Sequence, residues 1–95
     1  MFKKKPICEV CGNNEATAFS FIVRDSDSFE GDWKFVCECT AEKEDYYILI
    51  QSFFSRPPAA VDWLAHMHEK SWMDWKNFME MIYRFRSATD SFGAL

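Results

Sequence analysis

The sequence predicts an α+β fold, a three-stranded antiparallel sheet followed by two C-terminal helices. Three observations point there. Short stretches of alternating apolar residues precede Ser52, helically spaced apolar residues follow Arg56-Pro57-Pro58, and four cysteines fall into two close pairs ahead of both helices. A chain of 95 residues has the size of one domain. It divides into a sheet over 7–51, a two-helix segment over 57–87 and a frayed tail over 88–95.

The first element is the turn-rich run Cys8-Glu9-Val10-Cys11-Gly12-Asn13-Asn14, which reads as a tight knuckle because Gly and Asn accept positive φ. Thr17 to Val23 then alternates with the period of a strand, Phe19, Phe21 and Val23 on one face and Ala18, Ser20 and Ile22 on the other. The polar run from Arg24 to Asp32 reads as a hairpin loop. Trp33 to Cys39 alternates again, Trp33, Phe35 and Cys37 against Lys34, Val36 and Glu38. Thr40 to Asp45 is a charged turn, and Tyr46 to Ile50, rich in β-formers, supplies the third strand.

The two prolines at 57 and 58 suit a helix start, since proline is tolerated in the first turn. On that helix Ala60, Trp63, Leu64 and Met67 share one face and Asp62, His66 and Glu69 the opposite one. Ser71 and Asp74 resemble a capping box, which starts a second helix at Trp72. Its apolar face comprises Trp72, Trp75, Phe78, Met79, Ile82 and Phe85, with Asn77, Glu80 and Arg84 opposite.

Composition excludes disorder: hydrophobic residues make up 48% of the chain and aromatics 18%. Ten Phe, four Trp and three Tyr exceed what one thin core readily uses, so part of that surface is expected to face another protein or a second copy, as in a homodimer. Charge is unevenly spread. Residues 9–45 carry ten acids against Arg24, Lys34 and Lys43, a net of −7, while residues 46–95 balance five acids with five bases. An acidic cysteine-bearing half repels nucleic-acid phosphate. Lys3 to Lys5 are not followed by an apolar stretch of the kind a secretory signal needs, and Tyr46 to Ile50 is far shorter than the roughly 20 residues of a membrane helix. A cytoplasmic address is the expectation, and there paired cysteines read as metal ligands before disulfides.

Zinc takes four thiolate or imidazole ligands in a tetrahedron, and a Cys-x-x-Cys turn aims two sulfurs at one point. Cys8 and Cys11, with Gly12 next, fit that geometry. Cys37 and Cys39 at the end of a regular strand lie on one face, roughly 6.5–7 Å apart along the backbone, and a small bend would bring them together. The 25 residues between the pairs are enough for one hairpin that folds the second pair onto the first. The expected ligands are therefore Cys8, Cys11, Cys37 and Cys39, holding one structural Zn2+ per chain. Disulfides and a tetrathiolate iron site for electron transfer are the competing readings. The Cys-x-x-Cys-Gly knuckle with a second cysteine pair resembles the zinc-ribbon class of domains over residues 7–50, or the related treble clef, Cys37-Glu38-Cys39 departing from the usual second knuckle. That resemblance implies one zinc clamped at the edge of a three-stranded sheet.

Other features read blandly. His66 and His68 lie two residues apart on a helix, point in nearly opposite directions, and are read as solvated or packed side chains. Asp25-x-Asp27 lacks the glycine and glutamate of a calcium loop, since Glu30 and Val36 occupy those positions. Four cysteine ligands close a zinc site to catalysis. The expected function is a non-enzymatic protein–protein interaction or self-association module, a regulator or adaptor. The alternative is a zinc-ribbon nucleic-acid binder using Lys3 to Lys5, Arg84 and Arg86, and an iron redox carrier comes third.

Overall fold

The computed structural model describes residues 6–89. The first alternating stretch forms β1, Ala18–Asp25, and the second forms β2, Glu30–Val36. They pair antiparallel with Phe19 opposite Phe35 and Phe21 opposite Trp33. The hairpin is tighter than the polar run from Arg24 to Asp32 suggests: the strands extend into it and leave only a short turn, in which Phe29 has a positive φ of 52°. Gly31 permits this approach, because a Cβ there would clash with the carbonyl oxygen of Ile22.

β2 ends at Val36, three residues earlier than the alternation to Cys39 implies, and a single helical turn, α1 (Glu38–Ala41), follows. Cys37 is the residue before that turn, and its carbonyl accepts the N–H groups of Thr40 and Ala41 at 3.1 and 3.0 Å. The third strand, β3 (Tyr47–Leu49), pairs antiparallel with β1, so the sheet order is β2-β1-β3. Ile50 leaves the sheet as the first residue of α2 (Ile50–Ser55), a short helix the alternation does not reveal. Next come α3, Pro57–His68, and α4, Trp75–Thr89.

α4 begins three residues later than Trp72, capped by Asp74, whose carboxylate accepts the N–H of Asn77 at 3.0 Å. It also runs past the expected end at Ser87, with Thr89 buried and its hydroxyl bonded to the carbonyl of Arg86. Residues 88 and 89 thus belong to the helix, and the rest of the expected tail, 90–95, lies outside the described residues.

Both faces of β1 are covered. Phe19 and Phe21 join Trp33, Phe35, Ile48, Ile50, Met67, Phe78, Met81 and Phe85 in a large aromatic core beneath the helices. Phe19 meets the rings of Phe53 and Phe85 edge-on at 5.5 and 5.1 Å, a geometry that suits aromatic quadrupoles. The opposite face carries a small second cluster: Cys8, Ala18, Val36, Cys37 and Ala41, with Ile22 packed against it. On α3 the buried side is Ala60 and Met67, with Trp63 and Leu64 half-buried, as the spacing predicts. On α4 the outcome differs. Phe78, Met81 and Phe85 are buried, whereas Met79, expected inward, is exposed.

The polar side of α4 is not simply solvated. Asn77 Oδ1 accepts the N–H of Trp33 at 2.7 Å, and Arg84 Nη2 donates to the Trp33 carbonyl at 3.1 Å. Arg84 also grips Glu9 through Nε at 2.8 Å and Nη2 at 3.1 Å. Glu9 in turn accepts the N–H of Phe35 on its carboxylate and donates its own N–H to the Phe35 carbonyl. The outer edge of β2 is therefore occupied by side chains from the knuckle and from α4, which removes it as a template for strand addition. One buried donor, the indole N–H of Trp33, finds no acceptor among the described residues.

Candidate metal centre

The cysteine site is assembled where the knuckle meets the end of β2. Gly12 has a φ of 73°, in the left-handed region that Gly enters without a Cβ penalty, and its N–H donates to the carbonyl of Cys8 at 3.0 Å. This turns the chain back over Cys8. The N–H groups of Val10 and Cys11 then both point at Cys8 Sγ from 3.4 Å. The Cys8 N–H to Asn14 carbonyl bond closes the knuckle on itself, and the Glu9 bonds to Phe35 fix it to the sheet.

Three sulfurs converge. The Sγ atoms of Cys8, Cys11 and Cys37 all lie within 4.8 Å of one another, and those of Cys11 and Cys37 are 3.7 Å apart. A disulfide would bring sulfur atoms to about 2.05 Å, so these are separate thiols. Two thiolates on one tetrahedral zinc, each with a bond of about 2.3 Å, stand about 3.8 Å apart. The site can thus hold a metal ion with little rearrangement. Cys8 and Cys37 are buried, and Cys11 is exposed.

The surroundings favour thiolate. Burial opposes ionisation of Cys8, but the N–H groups of Cys11, Cys37 and Val10, with the Cys11 thiol, bring its pKa down from 9.0 to about 6. At Cys37 the Thr40 hydroxyl and the Thr40 N–H lower the pKa against a smaller opposing effect of burial, helped by Asn14 and the Cys11 thiol. Lowered values let a metal ion compete with protons at neutral pH, because thiolate is the ligating form.

Cys39 is not a member of this group. It sits on α1 with its side chain exposed. In a strand, residues two apart share a face, but in a helix two residues turn the side chain by about 200°. The helical start at Glu38 therefore directs Cys39 away from Cys37. The residue three on, Thr40, instead shares the side of Cys37, and its Oγ1 lies 3.4 Å from Cys37 Sγ and 3.8 Å from Cys8 Sγ. Asn14 Nδ2 donates to Cys37 Sγ at 3.8 Å. Thr40 and Asn14 carried no signal in the sequence, since a threonine after a cysteine and an asparagine in a turn are both common.

His66 and His68 are exposed on α3, which packs on the aromatic face through Met67, so they do not approach the cysteines. Asp25 and Asp27 remain in the exposed hairpin, where the Asp27 N–H donates to Asp25 Oδ1 at 3.0 Å. The Asp27 N–H and the Ser28 hydroxyl hold the Asp25 carboxyl below its usual range. Among the described residues no helix is long and apolar enough to cross a membrane. Comparison with protein-family models, curated proteins and solved structures finds no match to this chain. What the structure supports is three converging cysteines beside a three-stranded sheet, and no zinc-ribbon fold is established.

Proposed function

We propose that this chain is a small zinc-stapled interaction domain without catalytic activity. One zinc ion on the cysteine side fixes the knuckle to the end of β2, and the helical half presents apolar surface to another protein or to a second copy. The observation that carries the reading is the 3.7 Å separation of Cys11 and Cys37 within a three-thiol group whose members are within 4.8 Å. That spacing suits a shared tetrahedral ion and not a bond between the sulfurs. Thiolate-only donor sets select zinc or iron, and zinc is the reading for a centre that staples a thin core.

Surface supports the interaction role. Tyr47, Leu49, Phe54, Val61, Met79 and Tyr83 are exposed, and Leu49 and Phe54 line a cleft of about 500 Å3 between α2 and the loop before β1. Most of the aromatic surplus, however, is absorbed by the core beneath the helices. The partner surface is therefore narrower than the composition implies. A cytoplasmic setting accords with four free thiols.

An enzymatic role finds little support. Glu9, the carboxylate inside the knuckle, is bound to Arg84 and to the Phe35 N–H, which leaves it unsuited to act as a base. The nucleic-acid alternative loses Arg84 to the same pairing, and the neighbourhood of the knuckle is acidic. Native mass spectrometry together with light scattering over a concentration series tests the proposal. One zinc per chain and a concentration-dependent mass, or capture of a protein partner, are expected. A metal-free folded monomer with no partner would overturn it, and coloured protein from iron-fed cells would move the site to iron.

A further inference from the structure

The zinc-ribbon resemblance carries an expectation of four cysteine ligands, and the geometry supplies three. We propose that the metal is held by Cys8, Cys11 and Cys37, and that its fourth position is open to an exchangeable neutral donor. Water fills it at rest, and an imidazole nitrogen displaces water when one is offered. The inference rests on the metal reading above and deepens it.

Backbone structure keeps Cys39 out. To reach the other sulfurs it would have to undo the turn that begins at Glu38, breaking the bonds from the Thr40 and Ala41 N–H groups to the Cys37 carbonyl. Ala41 is fully buried in the same small cluster as Cys8 and Cys37, so that turn is anchored beside the site itself. Thr40, not Cys39, stands next to two of the three sulfurs. A hydroxyl there is a weak ligand but a ready hydrogen-bond partner for a bound water.

Charge selects the class of ligand. Three thiolates around a divalent ion leave a formal −1, within a stretch of sequence that carries a net of −7. A fourth thiolate, or any anion, adds charge to an acidic surface, whereas a neutral oxygen or nitrogen donor adds none. Access is provided on the knuckle side, where Cys11 and Gly12 are exposed and Val10 is 50% exposed. The chain's own imidazoles, His66 and His68, sit on α3 beyond the aromatic face of the sheet, so a nitrogen donor would come from solution or from another molecule. Three protein ligands plus a solvent position is the arrangement of catalytic zinc centres; here the knuckle carboxylate Glu9 is tied to Arg84 and the Phe35 N–H, so the position is assigned ligand exchange and not turnover.

Cobalt(II) is the probe. Wild-type protein and the Cys39→Ser variant are each loaded with cobalt and followed by absorption while imidazole is added. Expected are equal uptake, equal thiolate-to-cobalt charge-transfer intensity, and d–d bands that shift with imidazole in both proteins without loss of cobalt. Iodoacetamide on loaded wild-type protein, which needs no variant, is expected to label Cys39 and spare the other three. The inference is overturned, and the metal reading kept, if the variant drops to a lower thiolate count, Cys39 is protected, and imidazole leaves the wild-type spectrum unchanged. Failure of both proteins to take up cobalt overturns the metal reading and this inference together.

Discussion

On one face of the sheet Phe19, Phe21, Trp33 and Phe35 meet Met67, Phe78, Met81 and Phe85, while on the other Cys8, Ala18, Val36, Cys37 and Ala41 meet little but Ile22. The strands are the same, yet the two sides are held by different means. An aromatic side chain removes about 150–250 Å2 from water, and at about 25 cal/mol per Å2 a face built of such residues is cohesive by burial alone. The cysteine face has small side chains and little area to bury. Its order depends on hydrogen bonds to sulfur, on the Glu9–Arg84 pair and, in our reading, on a metal ion. A small domain can thus divide its stability between a hydrophobic side and a chelated one.

The comparison breaks most visibly on the aromatic side. Phe19→Ala removes a fully buried ring that touches Phe53, Phe54 and Phe85, and is expected to cost about 3–5 kcal/mol in denaturant unfolding. A loss below about 1 kcal/mol would mean that this core is not the main source of stability. Metal removal is the matching change on the other side. At free zinc a hundredfold above its dissociation constant, a chelator is expected to cost about 2.7 kcal/mol. The effect should also be local, with amide exchange rising across the knuckle and α1 while the near-ultraviolet dichroism of the aromatic core persists. A uniform loss of protection would show that the two faces unfold as one.

Residues at the junction produce smaller effects. Arg84→Ala releases the Glu9 carboxylate and the Trp33 carbonyl together; with the guanidinium side chain 42% exposed, about 1 kcal/mol is expected after solvent screening. Exchange of the Phe35 amide, which Glu9 covers, is the sensitive readout. The smallest effect separates two methionines of α4. Met79→Ala should fall within about 0.5 kcal/mol, against about 2–5 kcal/mol for the fully buried Met81.

That pair of methionines also marks how far the sequence could be read. Phe78, Ile82 and Phe85 announce the buried side of α4, but with apolar residues at 78, 79, 81 and 82 the spacing alone does not decide which methionine turns inward. The strands were legible because both faces of β1 alternate cleanly, and the knuckle because a glycine follows Cys-x-x-Cys. Cys39 was not. Its spacing from Cys37 means the same side in a strand and nearly the opposite side in a helix, and a helix of one turn has no periodicity to reveal it. Asn77 and Arg84 read as solvent-facing polar residues. Their partners on β2 lie 44 and 51 residues away, beyond any local pattern.

The Glu9–Arg84 pair joins groups 75 residues apart in the chain. Bringing such distant ends together carries a loop-closure cost that local hairpin and helix contacts avoid. The hairpin of β1 and β2 and the helix α4 must already stand before the guanidinium can reach the knuckle. If the pair closes after the rate-limiting barrier, Arg84→Ala should speed unfolding and leave the folding rate almost unchanged in stopped-flow kinetics. On that order of events the clasp that seals the strand edge would act as a brake on opening.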